Sequence, residues 1–571
     1  MATKRIAVES TAEAYLALLR ARGVEYFFGN GGTDFAPIVE AYAKLAAEGK
    51  SFPRPITVPH EFTAVSMAHG YAMVTGRPQL VMVHVIVGTA NGLGAVMNAA
   101  RTNTPLLFTA GRTPITEADL LGARNRQIHW AQESFDQGGL VREFVKWDYE
   151  LRHFAQLETV VDRALTLATA DPQGPVYLSL PREVLAERQR EFEYAEPARI
   201  PQATRMAPDP SAVEEAARIL AAARNPLIIA KASGRDTASV GVLVALAEAL
   251  GVPVVEAFPT YLNFPQDHSL HMGYEVEPYL EAADAILVLE SDSPWFPKVK
   301  RPSPEAKIIH LGVDPLYTRI PIRGFPADLA LVGAPSLALQ ALVRAVRREG
   351  PDTQVVRART DRWTAEHRRL REGWAARGRA AQASRPMDMA WVSRCLGEVI
   401  DDGTIVVNEY DLDATQVGFR HPGSYFGPPA AAALGWGLGA AMGAKLAAPE
   451  KTVIAALGDG AYIFGAPTAA HFTARAFDIP FLAVIFNNQA WNAVKRATSD
   501  VHPDGWAVRT KNMPMSDLAP SPAFELVAQS CGAHAERVED PAALADALRR
   551  ALKVVREERR QALLNVICRK P

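Results

Sequence analysis

The chain has 571 residues, too many for one compact core, and its 48% hydrophobic and 22% charged residues are typical of globular proteins. Lys and Arg total 61 against 63 for Asp and Glu, so the net charge of −2 gives no bulk attraction to nucleic acid or anionic membrane. With three scattered cysteines and no apolar leader, the sequence predicts a cytoplasmic protein without disulfides. The charge-free run 422–444 is rich in Gly, Ala and Pro, which predicts a loop and a small-residue helix rather than a membrane span.

Apolar runs and amphipathic segments alternate along the chain, which predicts an α/β protein with three doubly wound parallel-sheet domains. The first domain is assigned to residues 1–190 and begins with a helix over 11–22. A charged and then Pro-rich stretch between residues 185 and 208 marks its end. Its strands are predicted at 25–29, 79–84, 105–110 and 174–180.

A central domain is predicted over residues 208–350, followed by a charged helical linker over 351–386. Acidic residues interleave with the many arginines of the linker, which argues against an RNA-binding arm. The third domain covers residues 387–571 and matches the first in plan and size. Strands of the central domain are predicted at 226–230, 252–257, 285–289 and 307–311, and those of the third domain at 404–407, 453–456, 481–486 and 562–567.

The strongest chemical signal is in the third domain, where Gly458-Asp459-Gly460 follows one buried strand and Asn487-Asn488 follows the next. Glycines let backbone amides approach a phosphate closely, and the helix N-terminus behind them favours negative charge. A carboxylate and an amide oxygen at neighbouring strand ends suit Mg²⁺ that also binds diphosphate oxygens. The pattern predicts a phosphate and magnesium site at the carboxyl edge of this sheet.

This pattern resembles the cofactor motif of the thiamin-diphosphate-dependent enzymes of the pyruvate decarboxylase, acetolactate synthase and benzoylformate decarboxylase type. The resemblance implies that Asp459, Asn488 and the backbone carbonyl of Ala490 hold Mg²⁺. It also implies a thiamin diphosphate site formed by Gly458, Asp459, Gly460, Ala461, Leu434 and Asn488. The segment 459–480 is about two residues longer than the family pattern, which leaves Asn487 as an alternative to Asn488, although the position relative to Pro480 favours Asn488.

In the first domain, Pro59-His60-Glu61 followed by His69-Gly70-Tyr71-Ala72 is similar to the family's glutamate motif. The resemblance implies that Glu61 hydrogen-bonds the N1′ nitrogen of the thiamin pyrimidine and so promotes loss of the C2 proton. The alternative is a surface glutamate at a helix start.

Two histidines resemble the acid–base pair of benzoylformate decarboxylase. His84 ends a predicted strand 23 residues after Glu61, and His268 lies in a turn of the central domain. Imidazoles suit proton transfer because their ordinary pKa lies near neutrality. For each histidine a purely structural role remains the alternative.

Two further positions are assigned through the resemblance. Thr33, in Asn30-Gly31-Gly32-Thr33, stands where benzoylformate decarboxylase has a serine that binds the substrate carboxylate, and a turn-capping role is equally compatible with it. Leu434, in the small-residue run 422–437, would be the apolar wedge that bends the cofactor. The alternative for this run is a tightly packed core helix.

The resemblance implies a thiamin-diphosphate- and Mg²⁺-dependent 2-oxo acid decarboxylase or carboligase that acts through an enamine, similar to benzoylformate decarboxylase. An acetolactate-synthase-like carboligase and a catalytically silent cofactor-binding scaffold or regulatory subunit are the alternatives. The expected small molecules are a 2-oxo acid and an aldehyde acceptor, an acyl-CoA substrate stays open, and FAD is unlikely because His271-Met272-Gly273 replaces the flavin-contacting pattern. No nucleic acid or membrane partner is expected, and relatives share their active sites between subunits, which implies a homodimer or homotetramer.

Overall fold

A computed structural model describes residues 2–198 and 203–570 of the chain. It contains three parallel sheets, of six, five and six strands, and one two-stranded antiparallel ribbon. The three sheets follow one another along the chain, each with helices packed on its faces. The predicted fold class, three α/β domains with parallel sheets, is therefore confirmed.

The N-terminal domain contains eight strands and seven helices in the described residues. Its six-stranded parallel sheet has the order β3-β2-β4-β5-β7-β6, and β1 pairs antiparallel with β8, which lies just beyond the predicted end of the domain at residue 190. The elements are β1 (Thr3–Ala7), α1 (Thr11–Ala21), β2 (Tyr26–Gly29), α2 (Ala36–Ala47), β3 (Arg54–Thr57), α3 (Glu61–Thr75), β4 (Leu80–Val83), α4 (Val85–Arg101), β5 (Leu106–Arg112), α5 (Ile128–Ala131), β6 (Asp148–Glu150), α6 (Leu157–Thr169), β7 (Pro175–Pro181), α7 (Arg182–Ala186) and β8 (Glu191–Ala195).

The central domain has a five-stranded parallel sheet of order β10-β9-β11-β12-β13. Two of its three inner strands, β9 and β11, are wholly apolar and buried, as expected when helices cover both sides of a parallel sheet. The elements are α8 (Pro210–Ala222), β9 (Pro226–Ala230), α9 (Ala238–Leu250), β10 (Val254–Glu256), α10 (Glu277–Leu280), β11 (Ala285–Leu289), β12 (Lys307–Gly312), β13 (Leu329–Val332) and α11 (Pro335–Glu349).

A single helix, α12 (Thr353–Ala381, 29 residues), occupies most of the segment predicted as a charged helical linker. The Asp352 side chain caps its start by accepting from the backbone N–H groups of Gln354 and Val355. Only four of its residues are buried, and they pack on the central and C-terminal domains. No helix within residues 2–198 and 203–570 is long and apolar enough to cross a membrane.

The C-terminal domain has a six-stranded parallel sheet of order β15-β14-β16-β17-β19-β18. Counted from the first strand of each sheet, this order is the same as in the N-terminal domain. The elements are α13 (Met389–Val399), β14 (Thr404–Glu409), β15 (Tyr425–Phe426), α14 (Trp436–Ala447), β16 (Thr452–Gly458), α15 (Asp459–Phe464), α16 (Pro467–Ala476), β17 (Leu482–Asn487), α17 (Asn492–Val501), α18 (Trp506–Thr510), α19 (Phe524–Ser530), β18 (His534–Val538), α20 (Leu544–Arg556) and β19 (Ala562–Ile567).

Helices α3 and α14 join the N- and C-terminal domains through glycine-lined contacts. A Cβ atom added at Gly70 would lie 2.1 Å from the carbonyl oxygen of Ala440, and one at Gly443 would lie 1.9 Å from the carbonyl oxygen of Met67. Both helices are buried along most of their length. The two backbones can approach this closely only because these positions lack side chains.

Replacing Gly443 with alanine is therefore expected to lower the thermal midpoint, because the methyl group must push the two helix backbones apart, at a cost of roughly 1–3 kcal/mol. Gly241→Ala is the matched control, since Gly241 lies in helix α9 with no atom within 4 Å of an added Cβ. That control should raise the midpoint slightly, because alanine favours helix by about 0.5–1 kcal/mol. Equal midpoints for the two variants would contradict the tight contact.

Candidate active site

Glu61 is the first residue of α3 and lies at the carboxyl edge of the N-terminal sheet. Its two carboxylate oxygens accept from different amides: Asn30 Nδ2 donates to Oε1 at 2.7 Å and Asn91 Nδ2 donates to Oε2 at 2.5 Å. Asn30 directly follows β2 and Asn91 lies on α4, so three elements hold this carboxylate. The side chain is half-buried rather than a solvated surface group.

His84 follows β4 at the same sheet edge and pairs with Asp34. The distance between His84 Nδ1 and Asp34 Oδ1 is 2.6 Å. The carboxylate of Asp34 is 2% exposed and the imidazole 17%. The hydrogen bond to Asp34 raises the pKa of His84 against the opposing effect of burial, and the negative charge of Glu61 adds to this increase.

Thr33, next to Asp34, contacts a different histidine. Its Oγ1 lies 3.1 Å from His129 Nε2, and His129 Nδ1 accepts from the backbone N–H of Asn125 at 3.1 Å. Burial is the main cause that lowers the pKa of His129. The positive charges of nearby arginines lower it further, and that of Arg182 has the largest effect among them. A neutral ring whose Nδ1 accepts must carry its proton on Nε2, so His129 donates to Thr33 and leaves the hydroxyl proton of Thr33 free for another acceptor.

The predicted metal residues lie together at the carboxyl edge of the C-terminal sheet. Asp459 follows β16 and accepts from the backbone N–H groups of Gly460 at 2.8 Å and Gln489 at 2.6 Å. Asn488 follows β17, and its Oδ1 accepts from the N–H of Ala490 at 2.9 Å. Burial raises the pKa of Asp459 to about 6. The three predicted ligands are thus neighbours in two adjacent turns at this sheet edge.

The donor atoms of these three residues fit a hard cation with an anionic ligand. Asp459 and Asn488 provide a carboxylate and an amide, and Ala490 provides a backbone carbonyl, which are ligands that Mg²⁺ accepts. The Nδ2 of Asn488 is buried without a hydrogen-bond partner in the described part of the chain. A buried, unpaired N–H donor suits an incoming anionic oxygen. The residues present therefore fit a metal-bound diphosphate.

Packing around Gly460 explains why that position is glycine. A Cβ atom there would lie 2.2 Å from the Trp491 ring. Gly458 ends β16, and Ala461 is buried in the first turn of α15, as required for a close backbone approach. Gly460 is thus also a packing position against an aromatic ring, whereas a Cβ atom at Gly458 would lie 2.7 Å from the Asp411 carboxylate.

Asp411 is a second carboxylate beside Asp459 that the sequence analysis did not identify. Burial and, to a smaller extent, the negative charge of Asp459 raise the pKa of Asp411 to about 7. Both Tyr410 and Asp411 have left-handed backbone, with φ of 69° and 70°. Two successive non-glycine residues in this conformation are uncommon, and such strain is found mainly at functional sites.

Leu434 is half-buried in the loop before α14, and a glutamate that sequence reasoning missed fixes this loop. The buried Glu409 at the end of β14 accepts from the backbone N–H groups of Gly435 at 2.8 Å and Gly437 at 2.6 Å. Burial raises the pKa of Glu409 to about 7, although these N–H groups oppose the increase. The loop that carries Leu434 is therefore held by a carboxylate from the neighbouring strand.

Segments that follow the two sheet edges contact each other within the chain. Thr63 Oγ1 lies 3.5 Å from the carbonyl oxygen of Gly465, just after α15. Asn98 of α4 forms two hydrogen bonds with the backbone of Ala433, at 2.8 and 3.1 Å. Helices α3 and α4 of the N-terminal domain thus contact the segments that carry Gly465 and Leu434 in the C-terminal domain.

His268 lies apart from these residues within the single chain. Its Nε2 lies 3.3 Å from Glu248 on α9, and its Nδ1 accepts from the N–H of Leu270 at 3.2 Å. Both ring nitrogens are therefore engaged inside the central domain. A catalytic role for His268 remains a prediction that requires the ring to turn away from Glu248.

The carboxyl edge of the central sheet, where α/β domains bind nucleotides, is occupied by internal ion pairs. Arg235 pairs with Glu290 at 3.3 Å, and Lys231 pairs with Asp292. The adjoining cavity of about 320 Å³ lies between the central and N-terminal domains. The absence of a flavin stays a prediction.

Residues suited to acid–base chemistry and residues suited to a metal-bound diphosphate lie at the carboxyl edges of two matching sheets, an arrangement typical of enzymes that use a bound cofactor. Family models for the N-terminal, central and C-terminal domains of the thiamine pyrophosphate enzymes match residues 9–140, 213–342 and 409–566. The chain belongs to this family. Thiamine pyrophosphate is another name for thiamin diphosphate, so the predicted family and the type of its organic cofactor are confirmed.

Relatives with different reactions are similar to the chain over most of its length. A benzoylformate decarboxylase of Pseudomonas aeruginosa is 28% identical over 86% of this chain and 88% of its own. The acetolactate synthase isozyme 3 large subunit of Escherichia coli is 24% identical over 96% of this chain and 93% of its own. The solved 4-hydroxybenzoylformate decarboxylase of Rhodococcus jostii RHA1 has a TM-score of 0.78 at 25% identity, covering 98% of this chain and 99% of that one.

Proposed function

We propose that the protein is a thiamin-diphosphate- and Mg²⁺-dependent 2-oxo acid decarboxylase of the benzoylformate decarboxylase type. The observation that carries the proposal is the grouping of Glu61, His84 and Thr33 at one sheet edge, with His84 paired to a buried carboxylate. Such a pair supplies a proton donor near neutral pH. The similarity to two decarboxylases of aromatic 2-oxo acids supports this choice of subfamily.

Each residue has a definite task in this proposal. When bound, thiamin diphosphate supplies a thiazolium that accepts the electrons of the bond being cleaved. Glu61, held by Asn30 and Asn91, would hydrogen-bond the pyrimidine N1′ nitrogen. His84 would donate a proton to the oxygen of the substrate's oxo group, and the free hydroxyl proton of Thr33 would bind the substrate carboxylate. Leu434 would support the bent cofactor.

Asp459, Asn488 and the carbonyl of Ala490 would hold Mg²⁺ and, through it, the diphosphate. Asp459→Ala is expected to weaken Mg²⁺-dependent binding of thiamin diphosphate by about 10²-fold or more, since removing one partner of a buried charged contact costs about 2–5 kcal/mol. Titration calorimetry measures this loss directly. Asp504→Ala, an exposed carboxylate of the same domain, should leave the affinity unchanged. Equal affinities for both variants would place the metal elsewhere.

A carboligase is the second candidate, because acetolactate synthases match nearly the whole chain. The test is a panel of 2-oxo acids with apolar, aromatic and methyl side chains, supplied with Mg²⁺ and thiamin diphosphate, with and without an aldehyde. Release of CO₂ and an aldehyde from an aromatic acid supports the proposal, and formation of a hydroxyketone from two substrates favours the carboligase. Cofactor binding without turnover of any acid would leave the silent scaffold.

We further propose that the chain works as a homodimer or homotetramer. Large apolar side chains remain exposed on both the N- and C-terminal domains of the single chain, as expected where a second copy covers them. These side chains are Leu120, Leu121, Trp130, Phe135, Phe464, Trp506 and Met515. Sedimentation velocity of the holoenzyme should give a dimer or tetramer, and a fully active monomer would contradict the proposal.

A further inference from the structure

The buried carboxylate of Asp34 contacts two groups that follow β4. Its Oδ1 lies 2.6 Å from His84 Nδ1, and its Oδ2 accepts from the backbone N–H of Val85 at 3.3 Å. Val85 has a φ of 33°, which is rare for a β-branched residue and indicates a strained backbone. One carboxylate thus holds both the imidazole and the strained residue after it.

Two glycines make the position of this pair specific. A Cβ atom at Gly111 would lie 1.9 Å from Asp34 Oδ2, and one at Gly32 would lie 2.1 Å from His84 Nδ1. The carboxylate and the ring are therefore packed directly against two backbones. A ring confined in this way has little freedom to turn.

The donor–acceptor chemistry then fixes the protons of His84. An ionised carboxylate only accepts, so the nitrogen that contacts Asp34 must carry a proton. This leaves Nε2 as the ring nitrogen available to a ligand, and the imidazole is 17% exposed. The same arrangement of a carboxylate behind a histidine sets the orientation and tautomer of catalytic and metal-binding imidazoles.

We propose that Asp34 is a positioning residue, which fixes the ring of His84 with its Nδ1 protonated and presents Nε2 to the substrate. The orientation stands on the contacts above, whereas its catalytic use rests on the proposed function. The charged and titratable groups facing His84 are Asp34 itself, Glu61 on α3, and His129 of α5. Asp34, in direct contact, has the largest effect in favour of the charged ring, and the neutral Gln132 side chain and the charge of Glu61 act in the same direction.

The consequence for catalysis is a defined pH dependence. Because the contact with Asp34 favours the protonated ring, activity that needs His84 as an acid should be lost as pH rises through the raised pKa of His84. Without the carboxylate the pKa falls, and the alkaline limb should move to lower pH. At neutral pH, kcat/KM should fall by about 10-fold or more, since loss of the hydrogen-bond partner of a metal-binding histidine costs about 10- to 100-fold and loss of the carboxylate behind a catalytic-triad histidine costs about 10⁴-fold.

Asp34→Asn is the test variant, because it keeps the shape of the packed side chain. Holoenzyme labelled with ¹⁵N-histidine reports the titration and tautomer of His84, assigned by the signal that His84→Ala removes. We expect Asp34→Asn to lower the titration midpoint of His84. Asp402→Asn, which removes the partner of the exposed His421, is the matched control and should leave the signals of His84 unchanged. An unchanged midpoint and tautomer in Asp34→Asn would overturn the proposal.

A second measurement separates positioning from a merely structural role, since Asp34 also bonds the Val85 N–H. If Asp34 acts through His84, Asp34→Asn should shift the alkaline limb in the wild-type background and should cost little further activity in His84→Ala. An equal loss in both backgrounds would show that Asp34 only supports the backbone and would refute the inference. If no 2-oxo acid is turned over at all, the proposed function fails, while the NMR titration still decides the orientation of His84.

Discussion

Replacing Glu61 with glutamine is expected to slow proton exchange at C2 of bound thiamin diphosphate by about 10²-fold or more, while the cofactor still binds. The carboxylate is held by Asn30 and Asn91, which donate to its two oxygens. A glutamine amide has one acceptor oxygen and one NH₂ group. The Nδ2 group of one of the two asparagines would therefore face another N–H donor instead of an acceptor. The amide also cannot stabilise a protonated N1′ nitrogen.

Exchange of the C2 proton into D₂O, followed by NMR of the quenched cofactor, measures this step apart from any substrate. Glu158→Gln is the matched control, because Glu158 lies in the same domain and accepts from the backbone of Ala195 at 2.7 Å, away from the sheet edge. Only Glu61→Gln should slow the exchange. Wild-type exchange in this variant would show that Glu61 serves the helix start alone.

For His84→Ala we expect a fall in turnover of 2-oxo acids by about 10²- to 10⁴-fold, the usual cost of removing a positioned acid–base group. Cofactor affinity should be nearly unchanged, because the predicted cofactor ligands lie on the other domain. The pH–rate profile should lose its alkaline limb, because the imidazole of His84, whose pKa is raised, is the group expected to titrate there. Steady-state rates of CO₂ release between pH 5 and 9 test both statements.

His153→Ala is the control for this variant, because His153 is an exposed residue of the same domain whose ring caps a short helical turn. It should retain the full pH–rate profile. C2-proton exchange distinguishes the two active-site variants: slow in Glu61→Gln and close to normal in His84→Ala. Full decarboxylase activity in His84→Ala would show that this histidine has a structural role. It would also favour the carboligase over the benzoylformate-decarboxylase type as the proposed function.

The inner strands of all three sheets could be predicted from the sequence, because they are short apolar runs that are buried on both faces. The predicted ranges 226–230, 285–289 and 562–567 coincide with the strands of the structure. The edge strands β3, β6, β13, β15 and β18 were not predicted. Strand β3 has one buried residue and β6 has none, so neither carries an apolar pattern.

In the candidate site, too, some residues could be predicted from the sequence and others could not. Glu61, Asp459 and Asn488 belong to motifs with fixed spacing, whereas their hydrogen-bond partners come from distant parts of the chain. Asn91 is 30 residues from Glu61. The partners of His84 and Thr33 are 50 and 96 residues away, respectively. Proximity of this kind depends on strand order, for which a single sequence carries little local signal.

One partial signal was available for Asp34. It directly follows Thr33 in a Gly-rich turn after a predicted strand, where the neighbouring strand delivers His84 to the same edge. The register pairs Gly29 with Met82, two residues before His84. A carboxylate placed in such a turn faces the ends of adjacent strands. Glu409 ends β14 and Asp411 lies two residues after it, but neither belongs to a Gly-rich turn or another motif that would distinguish it in the sequence.

The contacts between α3 and α14 have the reciprocity of a twofold axis. With an offset of 373 residues, Met67 corresponds to Ala440 and Gly70 corresponds to Gly443. Gly70 approaches Ala440, and Gly443 in turn approaches Met67. This is the isologous pattern of a symmetric dimer, formed here inside one chain by two domains of equal strand order. The same offset relates Glu61 to Leu434. Equivalent positions of the two halves thus carry an acid in one domain and an apolar side chain in the other, so a pseudosymmetric framework presents different side chains to the proposed site.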